Sequence, residues 1–256
     1  MEFVKVTELK QQLDSLRPLN KDEVAKLKEI ERIDEVYNSN ALEGNTITRF
    51  ETKMILSEGI TISEKPMREH LEVINLNEAI DFVEELVSSE QPLSERLIKD
   101  IHRIVYDKLA MDKSNVGQYR RIPVEISGSS FVPPEPFHVP GLMQELVKWA
   151  NTNQNVIHPV EYAALLHEKF VTIHPFIDGN GRTARLLMNF ALTGNGYPPI
   201  IVKAEPSSRL RYNRTLEAAQ VDRNLDPFTD FITELVSEKL EKMIAILKMG
   251  ERLSDE

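Results

Sequence analysis

The chain has no cysteine among its 256 residues. That excludes disulfides, thiolate metal sites and cysteine nucleophiles, so any covalent chemistry must run through other groups. It has no apolar run near the roughly 20 residues that cross a bilayer. Its opening residues, MEFVKVTELK, carry charges where a signal peptide has its apolar stretch. No membrane partner is expected, and the expected location is the cytoplasm. Basic charge is also short: 31 Lys and Arg stand against 41 Asp and Glu, a net charge of −10. Nucleic-acid binding needs a basic surface, so that partner is not expected, whereas a local basic pocket for a small anion stays open. His70, His102, His138, His158 and His167 show no metal-ligand spacing, and each reads as structural or surface.

Strand signals are scarce too, and what fills the chain is helical periodicity. The hydrophobic content of 41% suits a packed globular core, and apolar residues recur at three- and four-residue spacing. Ser94 opens a helix through Ile98, Ile101 and Val105. Pro140 sits in the first turn of another with Leu142, Leu146 and Trp149, and Pro159 begins a third with Tyr162, Leu166 and Phe170. Two more run from about Ser208 to Val221 and from about Pro227 to Leu247. The exception is Arg120 to Pro134, where Val124 and Ile126 alternate with polar residues ahead of a Gly-Ser turn, predicting a short exposed hairpin. The expected fold is all-α, a helical bundle with a short β-hairpin, and no internal repeat divides it.

The segment His174-Pro175-Phe176-Ile177-Asp178-Gly179-Asn180-Gly181-Arg182-Thr183-Ala184-Arg185 carries the chemistry. Glycines on either side of Asn180 allow successive N–H groups to point into one concavity, and a helix starting there adds the positive end of its dipole. That is an anion site, with Asp178, Gly179, Asn180, Gly181, Arg182, Thr183 and Arg185 as candidate ligand-binding residues. Arg182 and Arg185 share a helix face and can both reach a polyphosphate. Asp178 alone would repel phosphate, so a bridging hard cation, Mg²⁺, is expected on it. His174 ends the preceding helix, where an imidazole can take a proton from an attacking hydroxyl. Each feature alone has a plainer reading: a structural histidine, a turn, solvent-facing arginines. Their order, leading into a helix, favours phosphoryl or nucleotidyl transfer.

This segment resembles the signature of the Fic family: His-Pro-Phe, two variable residues, Gly-Asn-Gly-Arg, two variable residues, Arg. Every fixed position is matched. The resemblance implies a Fic-like bundle with a catalytic core over 91–196, a helical N-terminal region over 1–90 and C-terminal helices over 197–256. It implies transfer of AMP from ATP, with Mg²⁺, to a hydroxyl of a target protein or of the chain itself. His174 would be the base and Asp178 the metal ligand. Asn180 and nearby backbone would hold the α-phosphate, Arg182 the β-phosphate and Arg185 the γ-phosphate, with Phe176 anchoring the loop. Relatives that phosphorylate instead have lysine where this chain has Gly181. By the same likeness Val124 to Val132 would be a flap docking the target backbone through Ile126, Ser127 and Gly128, by strand addition. Tyr212 and Gln220 would lie on a helix beside the adenine, Gln220 standing where relatives often have asparagine.

Upstream, Ser39-Asn40-Ala41-Leu42-Glu43-Gly44-Asn45 puts Ser39 and Glu43 four apart on a predicted helix ending at Gly44. Alone this is an ordinary capped helix end. Beside the first motif it resembles the family's inhibitory signature: Ser or Thr, three residues, Glu, then Gly or Asn. Glu43 would then compete with the γ-phosphate for Arg185 and hold the chain off. The same glutamate could orient water to remove AMP, so net de-modification is the alternative, with a nucleotide-sensing binding protein as the reading from another class. A DNA-binding regulator is not expected, since the sequence runs out after one amphipathic helix. Association with a second copy of the chain is left open.

Overall fold

The computed structural model describes residues 3–16, 21–89, 91–109 and 113–254. Among them ten α-helices succeed one another and no β-strand forms. They are α1 (Val4–Ser15), α2 (Lys21–Leu42), α3 (Arg49–Glu58), α4 (Met67–Ser88), α5 (Glu95–Val105), α6 (Val139–Asn153), α7 (Pro159–Ile173), α8 (Asn180–Gly194), α9 (Pro206–Val221) and α10 (Asp226–Ser254).

The helix starts follow local chemistry. Ser94 accepts a hydrogen bond from the Leu97 N–H at 3.2 Å, satisfying one of the donors a helix leaves open at its first turn. Pro140, Pro159 and Pro206 stand in the first turns of α6, α7 and α9, where a missing N–H costs nothing. At α3, Thr48 and Glu51 form a reciprocal capping box. It fixes the chain's re-entry just after the turn that carries Glu43.

α8 is the axis of the molecule, packing against α7, α4, α5 and α2. Ala184, Leu186, Leu187, Met188, Ala191 and Leu192 are all buried along it. Such a helix, buried on nearly every side, belongs at the centre of a bundle. α10 closes the far side against α1, α7 and α9. One hydrophobic cluster runs from Val6 in α1 through Phe170 and Leu187 to Ile244 in α10.

The predicted hairpin is a correction. Residues 120–134 fold back through a turn in which the Ser129 N–H donates to the Ile126 carbonyl at 3.1 Å, but no strand ladder forms. Pro123, Pro133 and Pro134 contribute no N–H to one. Side chains hold the loop instead. The buried Arg120 guanidinium donates to the carbonyls of Ile122 and Pro134, at the loop's two ends, and to that of His174 at 2.8 Å.

Phe228 near the start of α10 is fully buried, with its ring centroid 5.2 Å from that of His167 and 6.3 Å from that of Tyr212. Phe228→Ala should therefore lower unfolding stability by about 3–5 kcal/mol, read as a shifted urea midpoint at unchanged slope.

Candidate functional site

The segment between α7 and α8 is built from the inside outward. Phe176 is fully buried, and its backbone is locked by the next helix: its N–H donates to Asn180 Oδ1 at 2.9 Å while Asn180 Nδ2 donates to its carbonyl at 2.8 Å. A buried amide with both ends satisfied fixes four residues of loop at once. Asn180 is thus spent on the loop's own backbone, and its contribution to an anion is to hold N–H groups in place.

His102, read from sequence as structural, is the loop's other support. Its ring stacks on Phe176 with centroids 3.7 Å apart. Nδ1 accepts from the Gly117 N–H at 3.1 Å, which assigns the ring proton to Nε2, where it donates to the Asp178 carbonyl at 2.9 Å. Gly179 follows at φ +78° with its Cα against that ring, where an added Cβ would meet His102 at 3.4 Å. Glycine takes this backbone without penalty. Burial pushes the His102 pKa down to about 4, so the ring stays neutral with one donor and one acceptor. Helical spacing put His102 on the core face of α5, but nothing local signalled a loop 76 residues away. Arg120 was missed for the same reason.

His174 caps α7 in the left-handed region at φ +50°, an uncommon conformation for a residue with a side chain. It is held there by Arg120 on its own carbonyl and by the Arg120 N–H on the Pro175 carbonyl at 2.9 Å. Nδ1 contacts the Val171 carbonyl at 3.3 Å. That contact puts the proton on Nδ1 and leaves the Nε2 lone pair facing outward. Burial, reinforced by the charge of Arg120 and opposed by the Val171 hydrogen bond, holds its pKa below the ordinary histidine value. The neutral, proton-accepting form therefore prevails at pH 7.

Both arginines of the motif are buried. Arg182, with its side chain 2% exposed, lies 3.6 Å from Glu72 and 3.6 Å from Asp178, and its Nε and Nη1 have no hydrogen-bond acceptor. The Thr183 hydroxyl beneath it is equally without a partner. Buried donors left open at a helix N-terminus mark a place where an anion can bind. Arg185 is fully engaged. Its Nε donates to Ser39 Oγ at 2.9 Å, and Nη2 donates to the Ser39 carbonyl at 2.9 Å and to Glu43 Oε1 at 2.6 Å. Burial raises the Glu43 carboxyl, but the charges of Arg185 and Arg182 outweigh it and the pKa falls below the usual carboxylate value. α2 ends at Leu42, one residue before Glu43, and Gly44 turns away at φ +95°. The pair closes over Gly181, where a Cβ would stand 2.2 Å from Glu43 Oε1. The missing side chain there is what admits the carboxylate.

Asp178 accepts from its neighbour's N–H, Gly179, at 2.6 Å and from Arg68 Nη2 at 2.8 Å. Among the described residues no three His, Cys, Asp or Glu side chains gather as a metal site. A single carboxylate does fit Mg²⁺, which keeps waters and takes most of its other ligands from a substrate's phosphates. The Tyr212 hydroxyl hydrogen-bonds His167 Nε2 at 2.9 Å, and the residue is buried beside Arg185. Gln220 Nε2 donates to Thr172 Oγ1 at 3.2 Å, so it turns onto α7. In the turn of Ile126, Ser127 and Gly128 the last two are exposed and Ile126 is half-buried, and Ser130 clips it to α9 through Glu217, with Oγ donating at 2.6 Å.

Because His102 is neutral in the folded chain while the unfolded chain takes up a proton below pH 6.5, stability falls as pH drops from 6.5 towards 4. Between pH 6.5 and 5 this ring accounts for about 1.5 kcal/mol. His102→Gln should show a correspondingly flatter loss in urea titrations at those two pH values. An unchanged slope would mean that the ring titrates freely.

A sequence model described as the Fic/DOC family matches residues 92–192. The protein adenylyltransferase Fic of Drosophila grimshawi is 37% identical over 207 residues, 80% of this chain and 41% of that protein, so the chain spans about two fifths of that relative's length. A Fic domain containing signaling protein from Bacteroides thetaiotaomicron superposes with a TM-score of 0.85 at 30% identity, over 95% of this chain and 98% of the other. Fic-1 (residues 134–508) from C. elegans gives 0.82 at 30% identity, over 96% and 72%. The site described above therefore sits in a recognised scaffold, and the chain belongs to the Fic/DOC family.

Proposed function

We propose that the chain is a self-inhibited protein adenylyltransferase, moving AMP from ATP to a side-chain hydroxyl of a target protein or of itself. The observation that carries this reading is the α7–α8 junction, which sets a neutral imidazole with Nε2 free beside a helix N-terminus holding unsatisfied Arg182 and Thr183 donors. The names of relatives such as the Drosophila grimshawi protein support AMP as the transferred group. Division by role follows: residues 1–90 bring the inhibitory glutamate, 91–196 the catalytic machinery and 197–256 the helices that back it.

In the forward reaction the target hydroxyl is placed by the Ile126–Gly128 turn, and its oxygen attacks the α-phosphorus. The new O–P bond forms as the bond to the β-phosphate oxygen breaks, and His174 Nε2 takes the hydroxyl proton. Pyrophosphate leaves. The N–H groups of Asn180 to Arg182 and the guanidinium of Arg182 face the charge that builds on the phosphates. Mg²⁺, held by Asp178 and the phosphates, would neutralise charge on the departing pyrophosphate. Arg185 joins only when Glu43 lets go, because one guanidinium cannot serve both the carboxylate and a γ-phosphate.

A second reading rests on Glu43 itself. Its side chain is 38% exposed, and its carboxylate is close enough to His174 for its charge to act on that ring. It could orient a water that attacks the phosphorus of an AMP-modified protein, releasing AMP and returning the proton to the side-chain oxygen.

ATP labelled on the α- or the γ-phosphate separates these readings. With the α-label, Glu43→Gly should retain on the order of tenfold or more label on protein than wild type, as expected when a competing carboxylate worth at least ~1.4 kcal/mol is removed. Adding His174→Ala should abolish it. Transfer of the γ-label instead would make the site a kinase, and no transfer in Glu43→Gly would sink the adenylyltransferase reading. AMP release from a pre-modified protein by wild type, lost in Glu43→Gly, would establish the reverse direction.

A further inference from the structure

Glu43 is one of two contacts that close the candidate site, and the other comes from the opposite end. Arg68, in the first turn of α4, donates through Nη2 to Asp178 Oδ2 at 2.8 Å and through Nε to Glu72 Oε1 at 3.2 Å. Asp178 Oδ1 already accepts the Gly179 N–H and lies 3.6 Å from Arg182 Nη2. Both carboxylate oxygens are therefore occupied by donors. A divalent cation would bond such an oxygen at about 2.1 Å, and the charge of Arg68, 2.8 Å from Oδ2, opposes its approach. Guanidinium and metal compete for this carboxylate.

We propose that Arg68 is a second latch on the site: it holds Asp178 in the resting chain and must swing away before a divalent cation can be bound there. The inference rests on the adenylyltransferase reading, which makes Asp178 the metal ligand. Its position favours a latch over a fixed structural tie. Arg68 has a side chain 52% exposed and Asp178 one of 39%, so the long cation can move into water at small cost, whereas Arg182 behind it is buried and cannot. The two latches are also joined. Asn45, two residues past Glu43, donates through Nδ2 to Glu72 Oε2 at 2.9 Å, and the other oxygen of Glu72 accepts from Arg68. One short chain of contacts thus runs from the inhibitory turn through α4 to the metal ligand, and every member before Asp178 lies outside 92–192.

The consequence is a readout independent of turnover. Mn²⁺ binding, followed by the electron-spin resonance of the free ion in the presence of a non-hydrolysable ATP analogue, should be about three- to fivefold tighter in Glu43→Gly/Arg68→Gln than in Glu43→Gly. That is the range expected for breaking an exposed ion pair. Binding of the same analogue in EDTA should be equal in the two proteins. Unchanged or weaker Mn²⁺ binding in Arg68→Gln would overturn the latch. So would weaker metal-free binding, since Arg68 would then be a phosphate ligand. If Glu43→Gly with Arg68 intact binds neither the analogue nor Mn²⁺, the adenylyltransferase reading fails and the latch falls with it. Normal binding by that parent with no response to Arg68→Gln would sink the latch alone.

Discussion

Everything at this site depends on the reciprocal hydrogen bonds between the Asn180 side chain and the backbone of Phe176. They convert a flexible glycine-containing loop into a rigid link between α7 and α8, with the Phe176 ring as its peg in the core. His102 stacks on that peg and holds the Asp178 carbonyl from below. Once the loop is fixed, the remaining features follow from geometry. The first N–H groups of α8 point outward, His174 ends α7 beside them, and Arg182 and Arg185 leave α8 on the same side.

The second organising constraint is electrical. Arg68, Arg182 and Arg185 face Glu43, Glu72 and Asp178, three cations against three carboxylates. Buried guanidinium groups cannot persist without counter-charge, so in the absence of a bound anion the carboxylates supply it. A cationic helix start is thereby neutralised from within. The pairing is uneven in a useful way: the arginines of α8 are buried and fixed, while Glu43, Asp178 and Arg68 are partly exposed and can exchange partners. Fixed cations and movable anions allow the carboxylates to change partners without rebuilding the core.

The order of the motif, histidine to loop to glycine-flanked helix start to arginines, lies within twelve consecutive residues and was legible as a sequence. Neighbours along a chain at a helix N-terminus are neighbours in space. The all-helical class was equally legible, because periodicity is a local property. The segment 120–134 shows the limit of that logic. Alternating residues predicted a hairpin, yet strand pairing needs N–H groups and a partner edge. The loop's prolines lack the first, and Arg120 supplies side-chain hydrogen bonds in place of the second.

By itself the sequence determined the helices, the glycine-flanked turn into a helix start, and the pairing of a Ser-x-x-x-Glu turn with the motif through family likeness. Only the tertiary structure decided that Ser39 and Glu43 reach Arg185 across 146 and 142 residues. It alone decided that His102 supports the loop, that Arg120 ties His174 to both ends of the 120–134 segment, and that Arg68 rests on Asp178. The reason is physical: helix starts, turns and dipoles are set by residues within a few positions of one another. The partner of a buried charge is whichever group the packing of distant helices brings within 3 Å, and no local pattern records that.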